Sequence, residues 1–168
     1  LNILFKGVPG TGKSRRCDIL AEKLNANLNS ERFLRINIHS STVNSDLMQG
    51  IGVYTHENNI IYAEKTGVVM DFIKKAILTP FENFVLVLEE IQENSLNMLI
   101  GDLIYLIEEA KRTDVSLVYN KLESTSSEDF FVLCNKIIQE SEKSHSVTIP
   151  YLIENKPIFR KMILPRNL

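Results

Sequence analysis

Two stretches of this sequence carry residue types that act on polyphosphates when they stand together. The first is GVPGTGKS, Gly7 to Ser14, which fits the pattern G-x-x-x-x-G-K-[ST]. Successive backbone N–H groups in such a glycine-rich turn form a concave nest for an anion. A helix that starts directly after it adds free N–H groups and the positive end of its dipole. The residues placed around the phosphates are Gly7, Val8, Pro9, Gly10, Thr11, Gly12, Lys13, Ser14 and Arg15. Lys13 reaches the β- and γ-phosphates as a point charge, and the Ser14 hydroxyl takes a Mg²⁺ position. The second stretch is FVLVLEE, Phe84 to Glu90, an apolar run that stops on two carboxylates. Beside a phosphate nest, Glu89 is placed to hold Mg²⁺, directly or through its waters. Glu90 is placed to polarise the attacking water. The expected substrate is a nucleoside triphosphate with Mg²⁺. The choice between ATP and GTP stays open, because the loop contacts phosphates and not the base.

These residues work only if specific elements position them. LNILF (Leu1–Phe5) reads as a short buried strand leading into the glycine-rich turn, and KSRRCDILAEKLN (Lys13–Asn25) as a helix with a stripe of Cys17, Leu20, Ala21 and Leu24. FLRINI (Phe33–Ile38) reads as a second strand, and residues 39–62, polar and with Gly50 and Gly52, mostly as loop. TGVVMDFIKKAILTP reads as a helix stopped near Pro80, FVLVL as a third buried strand, and Ser95–Arg112 as one long amphipathic helix capped by Ser95. Alternating strands and helices imply a mainly parallel sheet with helices on both faces. Beyond Arg112, VSLVY (Val115–Tyr119) reads as a hairpin strand. Ser126–Lys143 reads as a helix with a capping-box start, within a helical insertion at 124–156. PIFRKMILP (Pro157–Pro165) reads as another short strand.

The remaining composition narrows the class. The 168 residues suit one domain, with 44% hydrophobic and 24% charged residues, and the formal net charge is −2. No overall basic field points to nucleic acid or to an anionic membrane. No apolar run approaches a membrane span. Cys17 and Cys134 lie far apart in no metal-binding spacing, which fits a reducing, cytoplasmic setting. The sequence opens without Met, already in a strand, and closes on ILPRNL at the entrance to another. It therefore reads as a trimmed piece of a longer protein.

GVPGTGKS, INIHSSTVNSDLMQGI and VLEEIQENSLNMLIGDLIYLIEEAKR together resemble the AAA+ domain of McrB-type proteins, the motor subunits of modification-dependent restriction systems. The resemblance runs from Leu1 to about Arg112 and returns at ILPRNL. It implies a three-layer P-loop NTPase, the AAA+ large subdomain, cut before the strand that bears the sensor-1 residue. The core would be 1–114 within a single partial domain over 1–168. It also implies a hexameric homo-oligomer, a separate nuclease subunit, and DNA engaged through the complex, with hydrolysis only in the completed oligomer. Departures are present: Glu89 replaces the family's Asp, Gln92-Glu93 stands where the family has Asn-Arg, and the 124–156 segment is additional. Arg15, Arg16 and Arg112 are poor arginine-finger candidates. His39 is read either as a residue facing the nucleotide or as a hydrogen-bonder that fixes the following loop, the second being favoured.

Three functions compete. The first is a hydrolysing motor domain. The second is a nucleotide-gated assembly module with weak or no hydrolysis, motivated by Glu89 and Glu93. The extra methylene of Glu89 moves its carboxylate by about 1.5 Å, and misplacement of that order costs about 10²-fold in rate. The third is a small-molecule kinase, disfavoured by the long segment after the paired glutamates.

Overall fold

A computed structural model describes residues 1–57, 59–121, 130–141, 143–149 and 160–168. The elements are α1 (Lys13–Lys23), β1 (Phe33–Asn37), α2 (Asn44–Leu47), β2 (Gln49–His56), β3 (Asn59–Thr66), α3 (Val68–Leu78), β4 (Val85–Glu89), α4 (Leu96–Ile100), α5 (Leu103–Leu106), α6 (Phe130–Glu140), β5 (Val147–Thr148) and β6 (Lys161–Met162). The sheet that positions the chemistry is the parallel pair of β1 and β4, in register from Phe33 opposite Val85 to Asn37 opposite Glu89.

Side chains alternate across this pair, so its two faces have different jobs. Leu34, Ile36, Leu86 and Leu88 pack toward the main core. In the main core Ile73 and Ile77 of α3 join Leu99, Leu103 and Leu106, while Phe72 and Ala76 meet Phe84 in a smaller cluster under Leu34 and Leu86. The opposite face carries Phe33, Arg35, Val87 and Glu89, and Arg35 pairs there with Asp18 of α1. Helices thus cover both faces, as a parallel pair requires. Helix α6 buries Phe130, Leu133 and Ile137 in the same core as α3 to α5.

Several expected elements differ. Leu1–Phe5 forms no strand, and Leu1, Ile3 and Leu4 are exposed. Its Asn2 side chain donates to the Ile107 carbonyl at 2.8 Å and accepts from Arg112. Side-chain bonds anchor this segment in place of a ladder. The stretch expected to be loop contains α2 and an antiparallel hairpin, β2 with β3, from Gln49 opposite Thr66 to His56 opposite Asn59. Periodicity missed it because apolar residues lie on both faces. Val53 and Tyr62 share one face, Tyr54 and Ile61 the other, and all four are exposed. The long helix breaks at Gly101, whose φ of 54° no helix contains. Strand β4 is half-buried throughout, not buried. Val115–Leu117 and Tyr119–Lys121 are 3-10 turns, not a hairpin strand. The capping-box start at Ser126, both ends of the 124–156 insertion, and residues 157–159 of the expected Pro157–Pro165 strand lie outside the described residues. Within them, β6 pairs antiparallel with β5.

The chain from 164 to 168 closes the fold beside β4. Thr113 N–H donates to Leu164 O, and Phe84 N–H donates to Asn167 O at 2.8 Å. The Asn167 amide reaches the carbonyls of Ala76 and Glu82, and so secures the turn from α3 into β4. Cys17 is half-buried and Cys134 buried, and neither is in a disulfide.

Gly67 joins the hairpin to α3, and its N–H donates to Met48 O at 2.7 Å. A Cβ here would lie 2.5 Å from both Leu47 O and Met48 N, which are backbone atoms with little freedom to move. Gly67→Ala is therefore expected to lower stability by about 1–3 kcal/mol, read from urea unfolding.

Candidate nucleotide-binding site

The phosphate nest is built by a reversal of backbone handedness. Gly10 (φ 81°) and Gly12 (φ 77°) both take left-handed conformations, and a Cβ at either would meet nothing within 4 Å. Glycine is required here by dihedral angle and not by space. The turn is braced by Thr11, whose hydroxyl donates to Val8 O at 2.8 Å. Gly12 caps α1, and its carbonyl accepts the first helical bond, from Arg16 N–H at 3.1 Å. The first turn of α1 contains no acidic residue, so no carboxylate competes for its free N–H groups and positive dipole end. The Lys13 ammonium folds over the loop and donates to Gly7 O at 2.8 Å and Val8 O at 3.0 Å. Gly7 through Gly12, Ser14 and Arg15 are exposed, and Lys13 is half-buried. The whole loop is open to an incoming anion.

Across from α1, β4 delivers the two glutamates in different directions. Glu89 is the last residue of the strand, and its carbonyl accepts from Ile38 N–H at 2.9 Å. Its side chain points toward α1. The Glu89 Oε1 atom is buried and has no hydrogen-bond partner. Such orphaned buried acceptors are uncommon, and Arg35 Nε stands 3.7 Å from this one, an ion pair without a hydrogen bond. Glu90 turns out of the strand with φ 54° and ψ 37°, a left-handed conformation rare for a residue with a Cβ. Its carboxylate is exposed and accepts from the Gln92 amide. So consecutive carboxylates face different surroundings, one tucked under α1 and one at the surface.

The loop after β1 closes against this strand end. His39 works through its backbone: its N–H donates to Thr42 Oγ1 at 2.9 Å and its carbonyl accepts from Thr42 N–H. Asn94 then donates to Thr42 O at 2.9 Å, tying the loop to the turn that carries Glu90.

The side chains that surround Glu89 lie outside the two motifs. Arg35, in the middle of β1, pairs with Asp18 of α1 and lies 3.7 Å from Glu89 Oε1 through its Nε. The signals were an arginine inside the apolar run FLRIN, and an aspartate four residues after Ser14 on the same helix face. Cys17 adjoins this cluster. Burial pushes its thiol above the ordinary value, Arg35 pulls it down, and Glu89 and Asp18 push it up.

A divalent cation fits the residues present. Among the described residues no cluster of three or more His, Cys, Asp or Glu side chains could hold a metal ion. Mg²⁺ does not require one, because in nucleotide sites it takes one or two protein oxygens together with phosphates and waters. The Ser14 hydroxyl and the Glu89 carboxylate, whose Oε1 has no hydrogen bond, are oxygens of the kind such an ion would take. Arg112, by contrast, is a structural residue. It is 7% exposed, with its guanidinium on the carbonyls of Ile107 and Leu168 and on Asn2, and burial lowers its pKa.

The model of the AAA domain (dynein-related subfamily) matches residues 2–146. The chain is also similar to the type IV methyl-directed restriction enzyme EcoKMcrB subunit of Escherichia coli (strain K12), 27% identical over 134 residues. That match covers 78% of this chain and 28% of the relative, so the chain spans less than a third of the relative's length. No helix among the described residues is long and apolar enough to cross a membrane.

Proposed function

The chain belongs to the AAA domain family, dynein-related subfamily, and on that premise we propose that it is a Mg²⁺-dependent nucleoside-triphosphate hydrolase domain that powers a McrB-like restriction complex. Nucleotide-binding ATPase character in general follows from the family. The observation that carries the finer reading is the juxtaposition under α1. The left-handed turn at Gly10 and Gly12 opens the helix's N-terminus to an anion, and the orphaned Glu89 oxygen lies beneath the same helix.

In this reading the backbone of Gly7 to Ser14 cradles the phosphates, and Arg15 adds the next free N–H. The Lys13 ammonium turns from the Gly7 and Val8 carbonyls onto the β- and γ-phosphates. Ser14 and Glu89 hold Mg²⁺, which when bound neutralises charge on the phosphate oxygens. Glu90, at the surface and supported by Gln92, accepts a proton from the attacking water. A hexameric homo-oligomer, a nuclease subunit, DNA engaged through the complex and a cytoplasmic setting are the partners and place proposed with it, on the similarity to the McrB subunit.

A second reading is favoured by one specific observation. The Arg35 guanidinium stands where it competes for Glu89, which suits a nucleotide-gated assembly module with slow hydrolysis. The test is nucleotide binding and steady-state hydrolysis by the full-length protein, with ATP and GTP compared at matched Mg²⁺. Saturable binding with measurable turnover of one nucleotide is the expected result. Binding without turnover transfers support to the assembly module, and absence of binding to either nucleotide defeats both.

A further inference from the structure

We propose that Arg35 is a positioning residue for the divalent-cation site, bridging Asp18 of α1 and Glu89 of β4 and so setting how tightly that site takes its metal. The inference rests on the nucleotide site proposed above and goes beyond it to a residue that binds neither phosphate nor metal.

Register places the bridge. Arg35 is opposite Val87 in the parallel pair, two residues before Glu89, so both side chains leave the sheet on the face toward α1. Asp18 lies one helical turn beyond Ser14 and faces the same way. The three side chains meet there, each 27–32% exposed. The Phe33 ring, 5.3 Å from the guanidinium carbon, supports the arginine from its own strand.

The two arms of the bridge are unequal. Arg35 Nη2 makes a direct hydrogen bond to Asp18 Oδ1. Its Nε stays 3.7 Å from Glu89 Oε1, beyond hydrogen-bonding range but close enough for strong charge attraction. Glu89 Oε1 is consequently held by charge without a hydrogen bond. An arginine is suited to this because its planar fork serves two carboxylates at once, which a lysine's point charge does not. The longer side chain of Glu89 makes such a restraint useful. A glutamate has one more rotatable bond than an aspartate, and a cation on its flank limits where the carboxylate goes.

The consequence is competition between two cations for one oxygen. A divalent ion arriving at Glu89 meets a guanidinium already beside it, and Asp18 decides how firmly that guanidinium is held away. Removing Arg35 should therefore raise metal affinity. Removing the Asp18 charge frees the guanidinium for Glu89 and should lower it. A residue that only stabilised the fold would not move the affinity in opposite directions from the two ends of one ion pair.

The test measures Mn²⁺ binding to the full-length protein by the loss of the free-ion EPR signal, with the β,γ-imido analogues of ATP and GTP as the nucleotide probes. Arg35→Gln is expected to tighten Mn²⁺ binding about threefold to tenfold, and Asp18→Asn to weaken it by a similar factor. In the double variant the Asp18 change should have little further effect, because the guanidinium it restrains is gone. Should Arg35→Gln fail to fold, Arg35→Lys keeps one charge without spanning both carboxylates, and is expected to tighten binding by a smaller factor. Unchanged or weakened Mn²⁺ binding in the Arg35 variants, or fully additive effects in the double variant, overturns the proposal while leaving the nucleotide site intact. A parent protein that binds neither analogue overturns the nucleotide site itself, and this inference with it.

Discussion

Replacing Lys13 by Ala is expected to weaken nucleotide binding about 10²-fold while leaving the fold in place. Among the described residues the Lys13 side chain bonds to its own loop, donating to the Gly7 and Val8 carbonyls at 2.8 and 3.0 Å. Both are surface contacts, so their loss costs the folded state little. The bound state loses far more. Phosphate bonds from an ammonium are charge-assisted, worth roughly 1.5–3 kcal/mol each, and the upper figure corresponds to about 10²-fold in affinity. The remaining N–H groups of the nest and of α1 would still attract phosphate, which is why residual weak binding is the expected outcome. Calorimetry or a fluorescent nucleotide analogue reads the difference, with thermal unfolding as the control. A Lys13→Ala protein that binds like its parent would remove the glycine-rich loop from the site.

The second large effect is expected from Glu90→Gln. The change keeps size and hydrogen bonding but removes the carboxylate that accepts a proton from water. General-base catalysis contributes about 10²–10⁴-fold, so turnover of the full-length protein should fall by that range while nucleotide affinity stays within about twofold. Glu90 is well placed for so clean a separation. It is exposed, its left-handed backbone belongs to the turn and not to the strand, and its carboxylate bonds to neighbouring Gln92. Ordinary turnover that collapses in Glu90→Gln supports the motor and excludes the slow assembly module. Turnover that survives the change places the base elsewhere.

The parts legible in the sequence were those where chemistry and periodicity coincide. Gly10, Gly12, Lys13 and Ser14 announce the loop through residue types that few other structures need. The α3 helix was marked by its stop near Pro80, and α6 by apolar residues at helical spacing, because one face of each helix meets a core. FVLVLEE showed a strand but not its depth, since half-burial depends on neighbours that a single strand cannot reveal. The β2–β3 hairpin was hidden because Val53, Tyr54, Ile61 and Tyr62 put apolar groups on both faces, and alternation is the signal that marks a strand. Gly101 falls inside the expected helix Ser95–Arg112, but its positive φ turns the chain between α4 and α5. Arg35 and Asp18 escaped notice for a different reason. They stand 17 residues apart on different elements, and only tertiary packing brings them onto Glu89.

The hairpin also has a mechanical consequence. It is held at its base, by the Gly67 bond to Met48 and the ion pair of buried Arg160 with half-buried Glu64, while the described residues from Val53 to Tyr62 stand in solvent. At about 3.4 Å per residue its eight-residue arms extend roughly 25 Å. It is thus a cantilever with its fulcrum beside α2 and α3. A tilt of about 10° at that fulcrum carries the tip through roughly 4 Å over a ribbon of that length. Displacements too small to repack the core therefore become side-chain-sized strokes at the far end of β2 and β3.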